Sequence, residues 1–148
     1  MNIKLINDSK TIEEANRILY KELFAPLQIS ETDIEKLKSD GKEQYVVCEI
    51  KGHIVGVIVI VEKDSEAELL HAVVASEYRS KGIGKILWRK ALDHLKSKEY
   101  KDIFLYSRNT AFDFWSRCGF KAISDEWLEH ELFIPHGIRH KRMKCFES

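Results

Sequence analysis

The sequence predicts an α/β fold in which helices cover both faces of a mixed sheet. Three observations carry that prediction. Two N-terminal stretches repeat apolar residues at helical spacing, three consecutive runs in the middle are β-branched, and two further helical stretches each lead into a strand-like run. With 148 residues, 44% of them apolar, the chain can bury a core without a disulfide or metal staple, and it reads as one domain over 1–148.

Asn2 to Ile6 alternates apolar and polar residues and predicts an edge strand. Thr11 opens the first helix, with Glu13 and Glu14 in its first turn and Ile12, Ala15, Ile18, Leu19 and Leu23 along one stripe; Pro26 ends it. Ser30 caps a shorter helix through about Lys38, with Glu31 and Asp33 at its positive end. The period then changes. Tyr45–Ile50, Ile54–Val61 and Glu66–Ala75 are separated by short polar links, which predicts three antiparallel neighbours. The middle run has almost no polar alternation, so both of its faces should be covered. A helix follows Gly82-Ile83-Gly84 and runs to about Lys98, with Ile83, Ile86, Leu87, Ala91 and Leu95 as its stripe. Ile103–Tyr106 is a strand, Asn109–Arg117 a helix stopped by Gly119, and Phe120–Ile123 and Ile138–Cys145 are the last strands.

The charge balance is 24 Lys+Arg against 24 Asp+Glu. That equality argues against nucleic acid as a partner, because phosphate neutralisation needs a basic excess or stripe. The longest apolar run, Ile54 to Val61, is far short of the roughly twenty residues that span a membrane, so no membrane association is expected. The N-terminus lacks a signal peptide's apolar core and cleavage site. Cys48, Cys118 and Cys145 have no C-x-x-C spacing and read as reduced thiols of a cytoplasmic protein.

The strongest local signal is Arg79-x-x-Gly82-x-Gly84 between a strand and a helix. Glycines at a helix start let an anion approach the backbone, where first-turn N–H groups and the helix dipole attract it. Arg79, Lys81 and Lys85 add positive charge there. The stretch is neither a P-loop, since Gly84-Lys85 is followed by Ile86, nor a Rossmann fingerprint, since the third glycine is missing.

Leu70-His71-Ala72-Val73-Val74-Ala75-Ser76-Glu77-Tyr78-Arg79-Ser80-Lys81-Gly82-Ile83-Gly84 resembles motif A of the GNAT superfamily of acyl-CoA-dependent N-acyltransferases. Ala111-Phe112-Asp113-Phe114-Trp115-Ser116-Arg117-Cys118-Gly119-Phe120 resembles its motif B. The order of elements matches along essentially the whole chain. The resemblance implies a mainly antiparallel central sheet of about six to seven strands. It implies acetyl-CoA (coenzyme A) as acyl donor, with the pantetheine arm along the backbone of Ala72, Val73 and Val74 in a slot opened by splaying from the strand Ile103–Tyr106. Arg79, Ser80, Lys81, Gly82, Ile83, Gly84 and Lys85 would hold the diphosphate, so a side chain at Gly82 or Gly84 should obstruct it. An amine would attack the thioester directly while a backbone N–H, that of Val74, polarises the carbonyl.

Two positions depart from the family pattern. Trp115 stands where a tyrosine commonly reprotonates the leaving thiolate; indole is no useful acid near neutral pH, so Trp115 is read as a cofactor-facing aromatic instead. The cofactor-contacting asparagine usually lies where this chain has Arg108, with Asn109 one step away.

A Lys-like amine near pKa 10.4 is rarely deprotonated at pH 7, so a general base is useful. Glu68, eleven residues before Arg79, stands at the offset of the base in histone-type members, and His71 is its rival. Strict alternation sends the two to opposite faces unless a bulge intervenes. His130, His136 and His140 lack metal-ligand spacing and read as substrate-side or surface histidines, so no metal is expected; Ser124 to His136 is expected to shape the acceptor site. The implied function is an N-acetyltransferase acting on an amine of a small molecule or protein, with a non-catalytic acyl-CoA sensor as the rival; a homodimer is compatible with either.

Overall fold

The apolar run Ile54–Val61 lies in the interior of the sheet, flanked by a strand on each side and buried along its whole length. A computed structural model describes residues 1–37 and 40–146. Within them seven strands form one sheet: β1 (Asn2–Ile6), β2 (Lys42–Ile50), β3 (His53–Lys63), β4 (Glu66–Val74), β5 (Asp102–Arg108), β6 (Phe120–Ala122) and β7 (His140–Cys145). Their order is β1-β2-β3-β4-β5-β7-β6. β4 and β5 run parallel, and every other pair is antiparallel. The predicted mixed, mainly antiparallel sheet is what the chain forms.

Among the described residues four α-helices accompany it: α1 (Ser9–Leu19), α2 (Glu31–Glu35), α3 (Ile83–Lys96) and α4 (Phe112–Arg117). Alternate residues of β3 feed two cores. Val57 and Val59 pack with Ala15 and Leu19 of α1. Ile58 and Ile60 pack with Leu87, Ala91 and Leu95 of α3 on the other face. A strand buried on both faces has no use for polar alternation. A third cluster of Phe24, Ile29, Phe133 and Ile138 joins the segment after α1 to the β6–β7 connection.

Local chemistry sets most boundaries and moves several from expectation. The cap of α1 is Asp8, whose carboxylate accepts from the Thr11 N–H at 2.9 Å, so the helix begins earlier than Thr11. It continues as a wider turn over Tyr20–Phe24 and a 3-10 turn over Ala25–Leu27. Ser30 caps α2 through its hydroxyl, which accepts from the Asp33 N–H at 3.1 Å. That helix stops at Glu35; its predicted end at Lys38 lies outside the described residues. β2 starts earlier than Tyr45, and β7 starts at His140, after Ile138 and Arg139. Asn109–Ala111 forms a 3-10 turn ahead of α4.

Candidate active site

β4 and β5 pair only from Glu66–Glu68 to Asp102–Phe104 and then separate. The register of β4 against β3 shifts at the Val59/Ile60 step, where His71 opposes Val59 and Leu69 opposes Ile60. Leu70 is therefore an extra residue, a β-bulge, and bulges bend the strand that carries them. The gap widens into a cleft of about 790 Å³. Leu23, Phe24, Phe133 and His140 are among the residues that line it.

The edge of β4 facing this gap keeps backbone groups outside any ladder. The Ala75 N–H donates to the Val55 carbonyl at 2.8 Å, on the β3 side. Successive residues in a strand point their backbone groups to opposite edges, so those of Val74 and Ala72 face the gap, whereas Val73 opposes Val57 in the β3 ladder. The Val74 carbonyl accepts from Arg79 Nε at 2.9 Å.

After β4 the chain makes a 3-10 turn over Ser76–Tyr78 and enters α3 through two residues with positive φ, Ser80 at 64° and Gly82 at 80°. Gly82 is the N-terminal cap, and the first helical bond runs from the Ile86 N–H to its carbonyl at 3.2 Å. The N–H groups of Ile83, Gly84 and Lys85 therefore have no intrahelical acceptor and sit at the positive end of the dipole. A Cβ on Gly82 would meet nothing within 4 Å, so the front of the helix is open. Gly84 has a different constraint: a Cβ there would lie 3.2 Å from Phe114 Cζ, so this glycine serves the packing of α3 on α4. Ser80, Lys81 and Lys85 are exposed, with Lys81 Nζ 5.6 Å from the Tyr78 ring centre, while the Ile83 side chain is buried in the core. Arg79 forms an ion pair with Glu22 at 2.7 Å, tying the loop to the turn that follows α1.

The bulge overturns the alternation argument about Glu68 and His71. Ala67 and Leu69 pack in the α3-side core, where Ala72 and Val74 also pack; Val73 packs on the α1 side. Glu68 and His71 thus both face the α1 side, and both line the cleft. The His71 ring meets Phe24 edge-on at 5.4 Å. Burial, reinforced by the Arg108 cation, lowers the His71 pKa to about 4. His140 is lowered to about 4 by burial first, with Arg108 and His130 adding to it.

Trp115 lines the cleft but is only 6% exposed, and its ring stands edge-on to Trp88 and Phe120. Asn109 is occupied structurally: its Oδ1 accepts from the Arg139 N–H at 3.0 Å and its Nδ2 donates to the Gly137 carbonyl at 3.2 Å. Leu128, Glu129, His130 and Phe133 bring the predicted acceptor segment to the cleft. Among the described residues no group of three or more His, Cys, Asp or Glu could hold a metal ion. Sequence reasoning missed Glu22 and the placement of Arg108, whereas His130 and His140, two of the three histidines it singled out, do line the cleft. Arg108 had one available signal, its occupation of the family's asparagine position.

Residues 9–146 match the family described as Acetyltransferase (GNAT) domain. An uncharacterized N-acetyltransferase of Chlorobaculum tepidum is 30% identical over 104 residues, covering 70% of this chain and 66% of that protein. The N-acetylaspartate synthetase of Xenopus tropicalis is 29% identical over 137 residues, 88% of this chain and 49% of that protein. The chain thus spans less than two thirds of the length of either relative. Escherichia coli ElaA has the same fold, with a TM-score of 0.81 at 14% identity over 98% of this chain and 99% of that one. An aminoglycoside 6'-N-acetyltransferase complexed with coenzyme A superposes with a TM-score of 0.74 at 15% identity, over 97% of this chain and 96% of that one.

Proposed function

The chain belongs to the GNAT acetyltransferase family, and from that premise we propose that it transfers an acetyl group from acetyl-CoA to an amine of a small molecule or protein, by direct attack in a ternary complex. One observation carries the reading: the opened edge of β4 leads directly into the bare N-terminus of α3. An extended chain with amide groups can continue the β4 ladder, and a diphosphate can then meet the free N–H groups of Ile83, Gly84 and Lys85. Gly82 leaves that approach open, and Lys81 and Lys85 flank it with exposed charge. The coenzyme A bound to the aminoglycoside enzyme supports the same donor here. The name of the Xenopus relative, an N-acetylated amino acid synthetase, supports a small acceptor.

Acetyl-CoA supplies an activated thioester when bound. The Val74 N–H, turned toward the gap, would hydrogen-bond the carbonyl oxygen as charge develops on it. Glu68 would take the proton of the attacking amine. Proton transfer to Glu68 removes a charge from the cleft, whereas transfer to His71 places a second cation beside Arg108. Trp115 cannot return a proton to the departing thiolate, so that step falls to water or another group. Asn109 would touch the cofactor only from its place beside Gly137 and Arg139.

Trp115 is also the observation behind the second reading, an acyl-CoA sensor without turnover. Cys48, Cys118 and Cys145, read as thiols without C-x-x-C spacing, support a reducing cytoplasmic location. No helix among the described residues is long and apolar enough to cross a membrane. The deciding experiment measures free thiol released from acetyl-CoA across a panel of amines. Turnover with an amine establishes the enzyme; tight coenzyme A binding without turnover establishes the sensor.

A further inference from the structure

We propose that Arg108 recognises the acceptor, binding a carboxylate carried by a small amino-carboxylate substrate. This rests on the acetyltransferase reading and adds the chemical class of the amine. Arg108 is the last residue of β5, opposite His140 of β7, and it lines the cleft. Its Nη2 donates to the Leu23 carbonyl at 3.2 Å, and its guanidinium carbon lies 5.2 Å from the Phe133 ring centre. Those two contacts set the guanidinium plane and engage one of its five N–H donors.

The charges of the cleft are distributed unevenly. Arg79 is neutralised by Glu22 at 2.7 Å. Glu129 pairs with Arg139 at 3.4 Å. Among the ion pairs of the described residues none includes Arg108, although it is half-buried. Two titratable neighbours that feel its charge, His71 and His140, are held neutral and add no negative charge. A desolvated cation without a counter-charge is costly, and a ligand carboxylate matches a guanidinium through two parallel hydrogen bonds.

Glu68 lies level with Phe104, four residues back along β5, a backbone separation of roughly 13 Å. Two long side chains reaching inward from those points place an anion at one end of the acceptor site and a cation at the other. That polarity suits a zwitterion, with its amine toward Glu68 and its carboxylate toward Arg108.

The test compares matched pairs: L-amino acids and ω-amino acids against their carboxamides, each with acetyl-CoA, reading kcat/KM by thiol release. A carboxamide lowers the pKa of its α-amine, so on reactivity alone α-carboxamides should be the faster acceptors. We expect one acid to exceed its amide by about tenfold or more, because a site built for a polar group rejects the analogue lacking it. That preference should collapse in Arg108→Gln through KM, and Arg108→Lys should retain part of it, with coenzyme A affinity unchanged in both. Calorimetric titration of the same acids into the protein–coenzyme A complex reads recognition without turnover. Equal rates for acids and amides, absence of binding by every acid, or loss of coenzyme A affinity in Arg108→Lys would each overturn the proposal. Acetylation of amines lacking a carboxylate would then leave the enzyme reading standing. Arg108-dependent binding of an acid without thiol release would instead overturn that reading and keep this one.

Discussion

Glu68 and His71 share one face of β4 although three positions separate them, because Leu70 is an unopposed residue at the Val59/Ile60 step. The bulge does two things at once. It turns both titratable side chains to the α1 side, and it bends β4 at the point where pairing with β5 ends. A choice of base that rested on facing alone therefore passes to electrostatics.

With one identified amine, Glu68→Gln is expected to lower kcat by about a hundredfold or more while leaving coenzyme A affinity intact. The acidic limb of its rate profile should disappear. His71→Gln should lose less than about tenfold, since a proton on His71 would sit beside Arg108. The measurement is kcat/KM against pH for both variants; the reverse result assigns the base to His71.

Gly82 is a cleaner probe of the diphosphate site than Gly84, whose Cβ would press on Phe114. Asn and Asp both tolerate positive φ, so Gly82→Asn and Gly82→Asp should fold with similar Tm values. Gly82→Asp should weaken coenzyme A binding by about tenfold more than Gly82→Asn, by charge repulsion alone. Equal affinities for the two variants in calorimetric titration would remove the diphosphate from this helix end.

Trp115→Phe should lower unfolding stability by about 1–2 kcal/mol, because the indole fills space between Trp88 and Phe120. Its kcat at saturating acetyl-CoA should change little. A loss of several orders of magnitude in a folded variant would give the indole a chemical role.

Acidification should destabilise the fold between about pH 6.5 and pH 4. His71 and His140 titrate near 4 when folded and near 6.5 when unfolded, so the unfolded chain binds protons first. Their contribution is complete above 6.5 and is lost as pH falls toward 4. Thermal melts from pH 7 to 4.5 should show Tm falling, with a flatter profile in the His71→Asn, His140→Gln double variant.

Periodicity, β-branched runs and glycine positions are local properties, and from them the sequence by itself determined the seven strands, the covered middle strand and the loop entering α3. Ser30 as a helix cap was legible because capping acts within three residues; Asp8 was passed over for Thr11, which its carboxylate in fact holds. The tertiary structure decided what depends on distant partners. Leu70 becomes a bulge only against Val59 and Ile60, Arg79 loses its free charge only by meeting Glu22, and Asn109 is drawn to Gly137 and Arg139. Arg108 keeps its charge unmatched because folding surrounds it with a carbonyl, an aromatic ring and two neutral imidazoles. Period and propensity are carried by neighbours along the chain, whereas register and electrostatic environment are set by neighbours in space, tens of residues away.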